Sequence, residues 1–318
     1  LTDVLFVAKH DWANVGYHYA NALNRVGVQA KAVKEFPHTF YENGQAEVVQ
    51  ERGRMRALIR GAECICIMHS ALHSALKPLK AEWRKKFVVV FHGGKAYRHG
   101  HQKLNRFFNP QVNMTLVQTH DLLGKGAKNE HWVNLTLDVS NIKPRYYQGG
   151  RYVVGHFPRD SKLKRTQDIQ RALSEVVGSY RARQKRAPFV SRVNTDRLPW
   201  HRNLKRMSLC DIYLGSMSMQ DPLGFDTGEW GFTAIEAAAV GDIVLTAFVA
   251  KGPYEKAFGR CPFAPITSHQ DLVRHLRQTI ETPPGRLIEL QREHREWAER
   301  VCSYEAVGNH LKSLFSQV

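Results

Sequence analysis

Two carboxylates, a glycine and a run of small residues are packed into EWGFTAIEAAAVGDIVLT, residues 229–246. Glu229 opens the stretch, and Glu236 lies between Ile235 and Ala237. The Gly- and Asp-rich loop DPLGFDTGEWG gives way to a helix near Gly231 or Phe232, with Thr233 in its first turn. The first amides of such a helix have no partner inside it and its dipole end is positive, which suits a diphosphate. Ala234, Ala237, Ala238 and Ala239 allow close packing on a sheet, and Gly241 ends the helix before the apolar run IVLT. Glu236, one turn in, is placed to accept two hydrogen bonds from a ribose diol. A surface acid on an amphipathic helix would not sit among alanines.

The elements that must position these groups alternate along 318 residues, a length that suits two domains. In the first half, strands are expected at DVLFVA (3–8), VQAKAV (28–33), ECICIM (63–68), FVVVF (87–91), NMTLVQ (113–118) and HWVNL (131–135). Helices are expected at 13–27, at 47–60, and over SALHSALKPLKAEWRKK with a kink at Pro78. The break KPRYYQGGR (143–151) reads as a linker, and the same grammar resumes at RYVVG, closing with helices near 268–281 and 284–317. Strands alternating with helices predict parallel sheets covered on both faces, with a ligand cleft between two similar α/β halves.

Composition narrows the partner. The net charge is +17. Residues 1–150 carry 21 Lys and Arg against 11 Asp and Glu, and residues 151–318 carry 25 against 18. The excess is therefore no basic tail, and it points to an anionic partner. The five cysteines lack a second pair at zinc spacing and read as buried thiols of a reducing, cytoplasmic compartment. The histidines show no metal spacing, and no metal is expected. The apolar runs are too short to span a bilayer, and the opening LTDVLFVAKHDW does not read as a signal peptide.

IEAAAVGDIVLT resembles the donor segment of retaining GT-B glycosyltransferases, which transfer sugars from nucleotide donors. Six residues separate Glu229 from Glu236 where that family has seven, so its first glutamate position falls on Gly228. GHFPRDSKLKRTQ resembles the family's entry to the donor domain, where an arginine and a lysine five positions later hold the diphosphate. Arg159 and Lys164 fit that spacing. FVVVFHGGKAYR resembles a strand followed by a His-Gly element; there His92 would contact the donor sugar, and Arg98 the acceptor or phosphates. VLFVAKHDWANVGYHYANAL resembles the first strand and glycine loop, placing Gly16 against the donor phosphates or acceptor, with Asp11 and Asn14 nearby.

The resemblance implies an α/β GT-B fold, two Rossmann-like domains facing each other across a cleft. Residues 1–147 would form the acceptor side, joined by a C-terminal helix at about 303–318, and 148–302 the donor domain. It implies retaining hexosyl or pentosyl transfer from a nucleoside diphosphate sugar, a UDP-sugar in the first place, with no tightly bound cofactor and no metal. The basic excess favours DNA with a hydroxymethylated base, such as hydroxymethylcytosine, as acceptor. Basic stretches with interleaved aromatics at 180–206 and 98–108 fit that partner. The rivals are a membrane-surface enzyme of envelope glycan or lipid synthesis, using ALKPLKAEWRKKF (75–87) as an amphipathic anchor, and a non-catalytic nucleic-acid-binding scaffold.

Overall fold

The computed structural model describes residues 3–37, 41, 45–70, 72–217 and 230–316. The chain divides into two compact units, residues 1–138 with 302–318, and residues 139–301.

In the first unit, β1 (Asp3–Ala8), β2 (Gln29–Lys34), β3 (Glu47–Val48), β4 (Cys64–Ile67), β5 (Phe87–His92), β6 (Met114–Val117) and β7 (Glu130–Trp132) form one sheet. Their order is β3-β2-β1-β4-β5-β6-β7, and every neighbouring pair is parallel. Val88, Val89, Val90 and Phe91 are fully buried, as a strand covered on both faces requires. One face packs on α2 (Arg52–Gly61), α3 (Lys80–Trp83) and α4 (Lys95–Phe108), through Met55, Ile59, Trp83 and Phe108.

The stretch at 47–60 is thus a short strand followed by a helix, not one helix. The helix expected across 70–86 is replaced by turns, a 3-10 turn at Lys77–Leu79 and the short α3. His73 is the reason: its Nε2 lies 2.6 Å from the Val49 carbonyl, and its Nδ1 accepts the Ala75 amide at 3.0 Å. These bonds compete with a helical ladder. Leu76, Leu79 and Trp83 are buried in the core, so the apolar side of 75–87 faces inward and is no membrane anchor.

α1 (Val15–Arg25) packs against α11 (Tyr304–Ser316). A Cβ at Gly308 would overlap the Ala22 carbonyl, so only glycine permits this approach. The expected single helix over 284–317 is two, α10 (Pro284–Cys302) and α11, broken at Ser303. Ser303 Oγ accepts the Ala306 amide at 3.2 Å, while the Cys302 carbonyl accepts the Leu137 amide at 3.0 Å.

In the second unit, β8 (Tyr152–His156), β9 (Phe189–Val193), β10 (Ile212–Leu214) and β11 (Ile243–Leu245) form a parallel sheet ordered β11-β10-β8-β9. Its helices are α5 (Thr166–Ala182), α6 (Trp200–Met207), α7 (Phe232–Val240), α8 (Lys251–Phe258), α9 (His269–Ile280) and most of α10. α7 is almost wholly buried, from Ala234 to Val240. Gly241 closes it at φ +95°, where its amide and that of Asp242 reach back to the Ala238 and Ala237 carbonyls. A side chain there would strain the left-handed turn and meet the Arg145 carbonyl. No described helix is long and apolar enough to cross a membrane.

Candidate functional site

The second unit gathers its charges at the start of α7. β8 ends at His156, whose Nδ1 donates to the Leu214 carbonyl at 2.7 Å, so Nε2 accepts from Thr166 Oγ at 3.0 Å. Burial pushes this imidazole down to about 4, and the nearby Lys164 charge adds to that, so it is neutral and ties β10 to the start of α5. Between these ends runs the basic loop 157–165. Asp160 shapes it, accepting the Leu163 amide on Oδ1 and the Lys164 amide on its carbonyl. Arg165 closes it in a left-handed conformation, φ 54°.

The loop delivers Lys164 to the first residue ahead of α7. Its Nζ lies 3.8 Å from where a Cβ on Gly231 would stand. Gly231 has no side chain with which to cap the helix, so the first-turn amides of Phe232 and Thr233 and the ammonium share one place. Glu236, one turn further, is 3% exposed. Trp200 Nε1 donates to its Oε1 at 2.7 Å. Burial pushes the Glu236 carboxyl up to about 7, against the pull of the Trp200 bond and the Lys164 charge. Burial likewise lowers Lys164, against Glu236 and Asp160. Acid and base are each destabilised by loss of water and hold each other charged. Arg159 is exposed on the same loop.

In the first unit the predicted residues lie at the carboxyl ends of β1 and β5. Asp11, 1% exposed, accepts the Gly16 amide on Oδ1 at 2.8 Å and the Tyr17 amide on Oδ2 at 3.0 Å. It therefore takes the anion seat at the start of α1 with its own carboxylate. His69 Nε2 stands 3.5 Å from Asp11 Oδ1. Burial opposes ionisation of Asp11, but His69 and the two amides outweigh it and hold the carboxyl below its ordinary range. Asn14 is buried with φ 60°, and His69 is left-handed at φ 56°.

His92 is buried, its ring 4.0 Å from that of Tyr97 and 6° from parallel, with Phe108 edge-on. Burial pushes it down to about 3, so the ring is a neutral core group. Arg98 is 6% exposed, and its Nε meets Asp121 Oδ2 at 2.7 Å. A Cβ at Gly93 would stand 2.9 Å from Gln118 Oε1 and 3.5 Å from His69 Nδ1. His69, not His92, is thus the imidazole that pairs with a carboxylate at this strand end.

No family model and no curated protein matches the sequence. Solved structures do match. An alpha-glucosyltransferase in complex with UDP-glucose and DNA containing an abasic site aligns over 99% of both chains, with a TM-score of 0.67 and 10% identity. HepE from Anabaena, in complex with UDP-glucose, aligns over 99% of this chain and 100% of its own, at 0.65 and 12%. Sucrose-phosphate synthase from Thermosynechococcus elongatus aligns over 100% and 99%, at 0.59 and 12%.

The fold is GT-B.

Within this GT-B chain, the structure brings Lys164, Gly231, Phe232, Thr233 and Glu236 together in the second unit, with Arg159 on the adjoining loop. It brings Asp11, Asn14 and Gly16 together in the first, while Arg98 and His92 are engaged by Asp121 and Tyr97. Glu229 lies outside the described residues. Sequence reasoning did not single out Trp200 or His69. The Pro-Trp pair in LPWHRN marked a helix start, but nothing local links position 200 to 236 or position 69 to 11.

Proposed function

We propose that this chain is a retaining glycosyltransferase that moves a hexosyl or pentosyl group from a UDP-sugar to a hydroxyl, the acceptor being a hydroxymethylated base in DNA. The observation that carries the donor half is the convergence of Lys164, the α7 amino terminus and the buried, Trp200-bonded Glu236. Glu236 receives the ribose hydroxyls. Lys164, Arg159 and the first-turn amides neutralise the diphosphate as the anomeric C–O bond breaks. The acceptor oxygen bonds to the anomeric carbon on the same face, and its proton leaves with the diphosphate. In the first unit, the Asp11–His69 pair holds the acceptor hydroxyl. The DNA half is supported by the +17 charge and by a structural neighbour solved with UDP-glucose and DNA.

The test is mass spectrometry of nucleosides after incubating the protein with hydroxymethylcytosine duplex and a pool of UDP-sugars. A hexose or pentose mass on the modified nucleoside is expected, and it disappears with Arg159→Ala and Glu236→Ala. Transfer unchanged in both variants would remove the donor site from this reading. Donor consumed only when envelope lipids are supplied would replace the acceptor.

A further inference from the structure

At the carboxyl ends of β1 and β2, three rings are laid side by side. The His10 ring is 4.9 Å from Phe36 at 20° and 5.3 Å from Trp12 at 30°. Lys9 Nζ stands 6.0 Å from the Phe36 centroid. Trp12, at the outer end of this row, is 53% exposed. Trp83, Trp132, Trp230 and Trp297 are buried, so Trp12 is treated differently from most of the tryptophans.

The backbone around Trp12 is held rigidly. Buried Asp11 precedes it, tied to the Gly16 and Tyr17 amides, and the Asn14 amide donates to the Asp11 carbonyl at 3.0 Å. Ala13 and Asn14 follow at φ 54° and 60°, a conformation that costs free energy in residues with a side chain. Tyr41 Oη reaches the Ala13 carbonyl at 3.3 Å. A strained, over-determined loop that presents an indole to water has no packing rationale. It has a binding one, because a ring fixed in advance loses little entropy when a second ring stacks on it.

We infer that the Trp12–His10–Phe36 row, with Lys9, is a stacking site for a nucleobase of the DNA acceptor. Every base has a π-face that an indole can take, and a cation beside the row suits a strand that carries phosphates. The position fits, since ligands of parallel α/β sheets bind outside the carboxyl ends of the strands, and Asp11 is the next residue in the chain. The inference rests on the DNA-acceptor reading, and it names the protein surface that would take an unstacked base.

The test needs no donor sugar. Tryptophan emission of the full chain is followed during titration with a single-stranded oligonucleotide and with a matched abasic oligonucleotide, in wild type and in Trp12→Phe. The base-bearing strand is expected to quench a component of the emission that Trp12→Phe lacks, and the abasic strand to leave it in place. Trp12→Ala is expected to weaken binding of the base-bearing strand by about tenfold and of the abasic strand by less than about twofold. Equal quenching by both strands, or quenching that survives in Trp12→Phe, overturns the stacking site. So does a Trp12 response to anionic vesicles with none to oligonucleotides. Quenching without sugar transfer would leave this inference standing and remove the transferase reading; transfer without quenching would do the reverse.

Discussion

The two units handle charge in opposite ways. In the second, Lys164 and Glu236 meet at a helix start, each pushed by burial toward its neutral form. In the first, the charges are already answered: Asp11 by two amides and His69, and Arg98 by Asp121 at 2.7 Å. A group destabilised by burial gains most when a ligand of opposite charge or a hydrogen-bonding diol arrives. A group already satisfied gains little and serves mainly to hold backbone in place. The comparison assigns ligand chemistry to the second unit, and to the first a rigid frame that displays His69 and the ring row.

The largest expected effect separates the two kinds of charge. Lys164→Ala should lower kcat/KM for sugar transfer by roughly 10²–10³-fold, the scale of one lost electrostatic donor to a developing anion. His92→Asn, which alters a ring enclosed by Tyr97 and Phe108, should mainly lower the thermal midpoint. Steady-state kinetics beside thermal unfolding on both variants decides this, and the reverse pattern would erase the distinction.

A smaller effect sharpens the reading of the first unit. Arg98→Ala leaves Asp121 without its guanidinium partner in a mostly enclosed place, which should cost about 3 kcal/mol of stability. Denaturant unfolding reads that cost. Sugar transfer by the fraction that remains folded should stay within about threefold of wild type, because the pair is spent on the fold. A kcat/KM that collapses while the unfolding curve stays put would make Arg98 a ligand group.

The smallest effect is a shift in pH. The Trp200 bond favours the ionised form of Glu236, whose carboxyl burial has already pushed up to about 7. Removing it with Trp200→Phe disfavours the carboxylate further, so ionisation moves to higher pH. The acid limb of the pH profile for donor binding should move upward by roughly one unit, and binding at pH 9 should change little. A limb that stays fixed would mean that Glu236 is not the group titrating in donor recognition.

Much of the frame was legible because it is encoded locally. FVVVF can only be a strand covered on both sides, and the alanine run ending in Gly241 can only be a tightly packed helix with a left-handed stop. The sequence failed where side chains bond over distance. His73 replaces an expected helix with turns by reaching the Val49 carbonyl and the Ala75 amide, and no periodicity records that. His92 drew notice as a histidine after an apolar strand, yet the fold stacks it on Tyr97 and sets His69 beside Asp11 instead.

By itself, then, the sequence determined an alternating α/β chain with parallel sheets, a strongly basic surface, and an acid placed within a small-residue helix. Those properties depend on residues a few positions apart, and on a sum over the whole chain. Only the tertiary structure decided which charges are answered and which are poised. Lys164 reaches Gly231 across a loop, Trp200 reaches Glu236 from another helix, and Trp12 stays in water while other tryptophans are enclosed. Each outcome follows from burial and from contacts between distant residues, and these exist only once the chain has closed on itself.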